Sequence, residues 1–155
     1  MVPGVGAFGA CMNQLSAIDG PRMVGEAIAT GKPFFGICVG MQILFSQGEE
    51  KGIHEGLDFF EGKVSPLNAP VLPHIGWNTV ETQSQTFEGV GNQMFYFVHT
   101  YAAKTAPKDS QVTWTNYGEK FISAIERKNV FATQFHPEKS GEAGARLIEN
   151  WATRI

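Results

Sequence analysis

Phe34-Phe35-Gly36-Ile37-Cys38-Val39-Gly40-Met41-Gln42 decides the fold of this chain. The apolar lead-in reads as a buried strand, and Gly-x-Cys-x-Gly passes into a helix-forming segment that the sequence extends over Gly40 to Gln47. That order of strand, tight turn and helix is the thiol form of a nucleophile elbow, which holds a reactive side chain above a sheet edge. Glycines at 36 and 40 let neighbouring backbone approach a strained turn without a Cβ clash. A helix beginning just after Cys38 would aim its unpaired N–H groups and positive dipole end at the sulfur, an arrangement expected to favour thiolate. From the elbow alone, a small core cysteine and a nucleophile are equally good readings.

Gln134-Phe135-His136-Pro137-Glu138 tips the balance. It follows Asn129 to Thr133, which alternates as a strand, so His136 falls at or just past a strand end. Pro137 fixes the turn and disfavours helix at His136. Glu138 is near enough to hold the imidazole in one orientation, giving Cys38, His136 and Glu138 as nucleophile, base and orienter. Ahead of the elbow, Val2-Pro3-Gly4-Val5-Gly6-Ala7-Phe8 is a glycine-rich loop able to turn backbone N–H groups toward a developing oxyanion, with Val39 N–H as second donor. It lacks the Gly-Lys-Ser/Thr ending of a phosphate loop.

The remaining sequence sets bounds. The 155 residues suggest one domain over 1–155, and 43% hydrophobic content supports a core of its own. A net charge of −3, from 12 basic and 15 acidic residues without a basic cluster, gives no reason to expect nucleic acid. Charged residues make up only 17%, with 12 Phe, as fits a chain that covers part of its surface with a partner or lacks some elements. Cys11 and Cys38 make no disulfide framework, so a cytoplasmic location is expected. No Cys/His spacing suggests zinc, and neither metal nor cofactor is expected. The longest apolar stretch, Pro33 to Phe45, is too short and too glycine-broken to cross a membrane.

Helices are predicted over Ala10–Ile18, Arg22–Thr30 and Gly141–Trp151, the last with Ala145, Leu147, Ile148 and Trp151 on its apolar face. Pro21 suits the start of the second helix and Gly31 its C-terminal cap. Pro33–Ile37 is the buried strand. Leu57–Val64, Ile75–Val80, Met94–Tyr101, Gln111–Asn116, Phe121–Arg127 and Val130–Phe135 are further strand candidates. This order predicts an α/β fold with an antiparallel portion.

Taken together, Pro3-Gly4-Val5-Gly6-Ala7-Phe8, the Cys38 elbow, Pro73-His74-Ile75-Gly76-Trp77-Asn78, Phe95-Tyr96-Phe97-Val98-His99-Thr100-Tyr101 and Phe135-His136-Pro137-Glu138-Lys139-Ser140 resemble the triad-type (class I) glutamine amidotransferases. More narrowly, they resemble the glutaminase subunits of imidazole glycerol phosphate synthase. The resemblance runs over nearly the whole chain. It implies a flavodoxin-like, mostly parallel central sheet with helices on both faces, and hydrolysis of glutamine by Cys38, His136 and Glu138. It also implies an oxyanion hole from Val5, Gly6 and Val39, and substrate contacts from Gly4, Gln42, Glu50, Thr100 and Tyr101.

The implied partner is a (β/α)₈ cyclase subunit that uses the ammonia in histidine biosynthesis and docks near Ile75, Trp77 and Asn78. By spacing alone Gln42 could equally be an exposed amide, Glu50 a solvated charge, and Thr100-Tyr101 a strand-end pair. His74 and His99 read as structural. The family pattern begins upstream of the Pro-Gly-Val-Gly loop, so the first strands and helix of the sheet are expected to be missing. Another cysteine hydrolase on a related fold, or a partner-binding subunit without activity, stays open.

Overall fold

A computed structural model describes residues 1–4 and 6–154. Its central sheet is built around β2 (Phe34–Cys38), every residue of which is buried. A strand apolar on both faces belongs inside a parallel sheet, and β2 is flanked there by β1 (Val2–Gly4) and β11 (Val130–Thr133), both parallel to it. Two antiparallel strands, β10 (Glu119–Arg127) and β9 (Gln111–Tyr117), extend the sheet to the order β1-β2-β11-β10-β9. The register sets Gly4 beside Cys38 and Phe34 beside Val130. Cys38 and the residues after Thr133 therefore leave the sheet at the same edge, beyond the carboxyl ends of parallel strands, where open α/β sheets form their ligand crevices.

Two helices precede β2, α1 (Phe8–Ala17) and α2 (Gly20–Ala29). Pro21 sits in the first turn of α2, and Gly31 takes φ +77° just past its end, as its punctuation predicts. In the β10–β11 turn, the Asn129 amide donates to the carbonyls of Ile28 and Lys32, tying the end of α2 to the sheet. The predicted helix over Gly40–Gln47 is shorter than expected. Only α3 (Val39–Gln42) is helical, and β3 (Phe45–Gly48) follows almost at once. The cause is tertiary: β3 pairs parallel with β5 (Phe60–Pro66) and antiparallel with β4 (His54–Glu55), and those ladders override local helix preference.

The remaining strands form two further sheets. One has the order β4-β3-β5-β8, with β8 at Tyr101–Ala103; the other is a hairpin of β6 (His74–Thr79) and β7 (Met94–His99). The single strand expected over Met94–Tyr101 is thus split at Thr100, because its two halves pair with different sheets. Phe95 and Phe97 of β7 join the main core through Phe135, with ring centroids 4.4 and 5.6 Å apart. The chain closes with α4 (Gly141–Ala152), which packs through Leu147 and sets Trp151 against Phe35. Ala145 is exposed rather than packed. Asn150 takes the inner position instead, because its amide satisfies the carbonyls of Thr86 and Glu88. Among the described residues no helix is long and apolar enough to cross a membrane.

Candidate active site

The elbow predicted around Cys38 is present. Cys38 has φ +54° and ψ −112°, a strained conformation for a residue with a side chain, and α3 starts directly after it. Close packing explains the glycines. A Cβ on Gly40 would lie 2.0 Å from the Val2 carbonyl oxygen, and one on Gly36 would lie 2.5 Å from that of Gly40. Gly4 belongs to the same packing, since its Cβ would meet Gly40 N at 2.5 Å. Expected to touch substrate, Gly4 is absent from the residues lining the cavity described next, because it is wedged against the elbow.

A half-open cavity of about 360 Å³ lies over the sulfur, lined by Gly6, Cys38, Val39, Gln42, Glu50, Val98, His99, Thr100, Tyr101, His136 and Lys139. The sequence places these residues as far apart as Gly6 and Lys139; β2, α3, β7 and the end of β11 bring them together. Clefts of about 510 and 650 Å³ elsewhere carry neither cysteine nor histidine, so chemistry rather than volume marks the site. Val5, the other expected oxyanion residue, lies outside the described residues.

His136 is buried and follows the end of β11. Its N–H donates to the Tyr96 carbonyl at 2.9 Å, and its own carbonyl accepts from Ser140 Oγ at 2.6 Å. The ring Nδ1 lies 2.6 Å from Glu138 Oε1. A carboxylate only accepts, so Nδ1 carries the hydrogen of this bond, and in a neutral ring Nε2 is the nitrogen that bears the lone pair. Glu138 reaches this bond from the surface, with about half its side chain exposed.

Cys38 departs from expectation. Its thiol is pushed up to about 11, chiefly by burial, against the opposing pull of the Val39 N–H; the Glu138 carboxylate pushes it up further. One helical turn supplies too little dipole to offset the desolvation of a thiolate that is only 6% exposed. The resting group is a thiol, and its hydrogen-bond contacts are the Val98 carbonyl at 4.0 Å and Gln134 Nε2 at 3.8 Å rather than His136.

Gln134 is a site residue that the sequence reading does not single out. Fully buried, it touches the sulfur with its amide nitrogen and accepts from Gln42 Nε2 with its oxygen at 3.0 Å. The available signal is its place two residues before His136, which on an extended chain puts both side chains on one side. Gln42 Nε2 also donates to the Tyr101 carbonyl at 2.9 Å. Both amide hydrogens are thereby committed, leaving Oε1 as the atom of that group able to accept from a ligand. Glu50 Oε2 accepts from Phe8 N–H at 2.9 Å, which fixes the carboxylate at the cavity wall against the start of α1. Ile75 and Trp77 lie outside the cavity, on β6, with 59% and 53% exposure. Asn78 is half-buried and donates to the Asn116 carbonyl.

The family model for glutamine amidotransferase class-I matches residues 1–155. The chain belongs to the class-I glutamine amidotransferases. Among curated relatives of this amidotransferase, the imidazole glycerol phosphate synthase subunit HisH of Streptomyces avermitilis is 51% identical, over 97% of this chain and 76% of the relative. The subunit of the same name from Thermobifida fusca is 48% identical, over all of this chain and 79% of the relative. A crystal structure of a glutamine amidotransferase superposes with a TM-score of 0.73 at 18% identity, covering 97% of this chain and 77% of that one. A glutamine amidotransferase from Thermotoga maritima gives 0.60 at 16% identity, over 98% of this chain and 60% of that one. At those identities the structural likeness speaks for the amidotransferase fold alone.

Proposed function

We propose that this chain is the glutaminase subunit of an imidazole glycerol phosphate synthase, hydrolysing glutamine to glutamate and ammonia. The observation that carries the reading is a single cavity holding the Cys38 thiol and a His136 whose ring is fixed by Glu138, in a chain half-identical to HisH subunits. With glutamine bound, His136 Nε2 takes the thiol proton and the sulfur attacks the side-chain amide carbon. Val39 N–H, with a backbone donor from the Val5–Gly6 segment, holds the oxyanion. Because the thiol rests protonated, deprotonation is coupled to attack rather than completed beforehand. His136 then hands its proton to the amide nitrogen, ammonia leaves, and a thioester remains. Water, deprotonated by His136, attacks the thioester; the proton returns to the sulfur and glutamate departs.

Glu50 meets the substrate's α-amino group, while Gln42, Thr100 and Tyr101 meet its amino-acid end. Ammonia would largely protonate in water, so the product is passed on to a (β/α)₈ cyclase subunit. Ile75 and Trp77, exposed and apolar on one face of β6, provide the docking surface. A glutamine-mimicking alkylator should label Cys38 and spare Cys11, which lies on α1 against a different groove. Cys38→Ala should abolish glutamine hydrolysis. Labelling confined to Cys11, or an active Cys38→Ala chain, would overturn the reading.

A further inference from the structure

We propose that His74 and His99 form a hydrogen-bond relay of fixed polarity that positions the Tyr101 carbonyl, and through it the Gln42 amide, at the amino-acid end of the cavity; this rests on the glutaminase reading of that cavity. Both rings are buried, with His74 Nδ1 and His99 Nε2 3.0 Å apart. The polarity follows from either end. At the inner end, His99 Nδ1 is 3.0 Å from the Tyr101 carbonyl, which can only accept, so Nδ1 carries hydrogen and Nε2 is bare. His74 Nδ1 must then donate to that bare nitrogen.

At the outer end, Asn78 Oδ1 accepts from Thr79 N–H at 2.8 Å, which settles the orientation of that amide. Its NH₂ group therefore faces both the Asn116 carbonyl and His74 Nε2, at 3.0 and 3.4 Å. His74 Nε2 accepts, and Nδ1 again carries the hydrogen. Two independent anchors give the same direction, from Asn78 through His74 and His99 to Tyr101.

The relay works only with both rings neutral, since a proton on either would set two N–H groups against each other. Burial enforces this: it depresses His74 to about 4 and His99 to about 3. Packing holds the rings in place. His74 stacks on Tyr117 at 3.9 Å, and His99 lies against Phe121 at 4.9 Å. The Tyr101 carbonyl receives His99 on one side and Gln42 on the other, so the relay fixes the acceptor that orients Gln42. Buried histidines in a fold need only be packed; these two are also polarised toward the cavity.

The ring tautomers are measured by nitrogen-15 NMR on the unsubstituted chain. Nδ1–H with a bare Nε2 on both rings is expected, and Nε2–H on either ring would overturn the proposal. Glutamine hydrolysis is then compared in His99→Phe and His99→Asn. Phenylalanine keeps the ring packing and loses the donor. Asparagine places an N–H close to where Nδ1 stood. His99→Phe should raise KM about tenfold with kcat within about twofold, the pattern of lost binding rather than lost chemistry. His99→Asn should return KM to within about threefold of the parent. Unchanged KM in His99→Phe, a fall confined to kcat, or equal damage in both variants would overturn the positioning role. Failure of the unsubstituted chain to hydrolyse glutamine would instead count against the glutaminase reading, while the tautomers still decide the polarity of the relay.

Discussion

At the scale of single residues, the site sets a protonated Cys38 thiol, the proposed nucleophile, beside a His136 ring, the proposed base, that is already oriented. Glu138 acts on His136 through one short bond from a half-exposed position. Glu138→Gln should cost about 1.5–3 kcal/mol, a ten- to hundredfold fall in kcat, because hydrogen bonds to charged groups carry that much. A smaller loss would mean that His136 is oriented by its backbone bonds to Tyr96 and Ser140 instead. The thiol makes a second prediction. With Cys38 pushed up to about 11, its thiolate population rises with pH throughout the neutral and mildly alkaline range. Alkylation of Cys38 by a small neutral reagent, followed by mass spectrometry without glutamine, should accelerate about tenfold per pH unit up to roughly pH 10. A rise that levels off just above pH 9 would show an unperturbed thiol. The Glu138–His136 pairing is legible in the sequence; the raised thiol is not, because the sequence shows a helix following Cys38 but neither that helix's single turn nor the desolvation that outweighs it. Gln134 is hidden for a related reason: its one signal is its place two residues before His136, and only the fold sets its amide beside the sulfur.

At the scale of elements, the elbow depends on β1, β2 and α3 approaching too closely to admit a side chain at Gly4, Gly36 or Gly40. Gly40→Ala should destabilise the chain by about 1–3 kcal/mol in urea unfolding, since the new methyl would meet the rigid Val2 carbonyl. The same displacement would move β1 and the loop toward Gly6, so glutamine hydrolysis should fall more than stability alone accounts for. Wild-type stability in this variant would show that β1 yields freely. This part of the fold is readable, because an apolar run bracketed by glycines and followed by His-Pro-Glu dictates local geometry wherever it sits. The rest is not. Phe45 to Gly48 has the composition of a helix end and becomes a strand only because β5 offers it a ladder. Thr100 interrupts a run of β-formers because the segments on either side pair with separate sheets.

At the scale of the whole molecule, the hairpin β6–β7 joins an exposed apolar face to the cavity wall. Ile75, Trp77 and Met94 stand in solvent on it, while Val98, the cross-strand partner of Ile75, and His99 line the cavity. A partner docked on that face would press on elements that carry site residues. Glutamine hydrolysis should accordingly rise when a cyclase subunit with its ligand is added, and equal rates with and without it would exclude such gating. Trp77→Ala should weaken the complex by about 2 kcal/mol, as loss of a central aromatic anchor does. Unchanged affinity, measured by calorimetry, would remove Trp77 from the interface.

The buried thiol also bears on how long a molecule survives between turnovers. Peroxide attacks thiolates, and a group with its pKa near 11 exposes on the order of one thiolate in ten thousand molecules at neutral pH. An idle molecule is thereby guarded from oxidation to sulfenic acid and the irreversible states beyond it. In the proposed reaction the sulfur becomes vulnerable only while His136 draws off its proton, when glutamine would already occupy the path an oxidant would take.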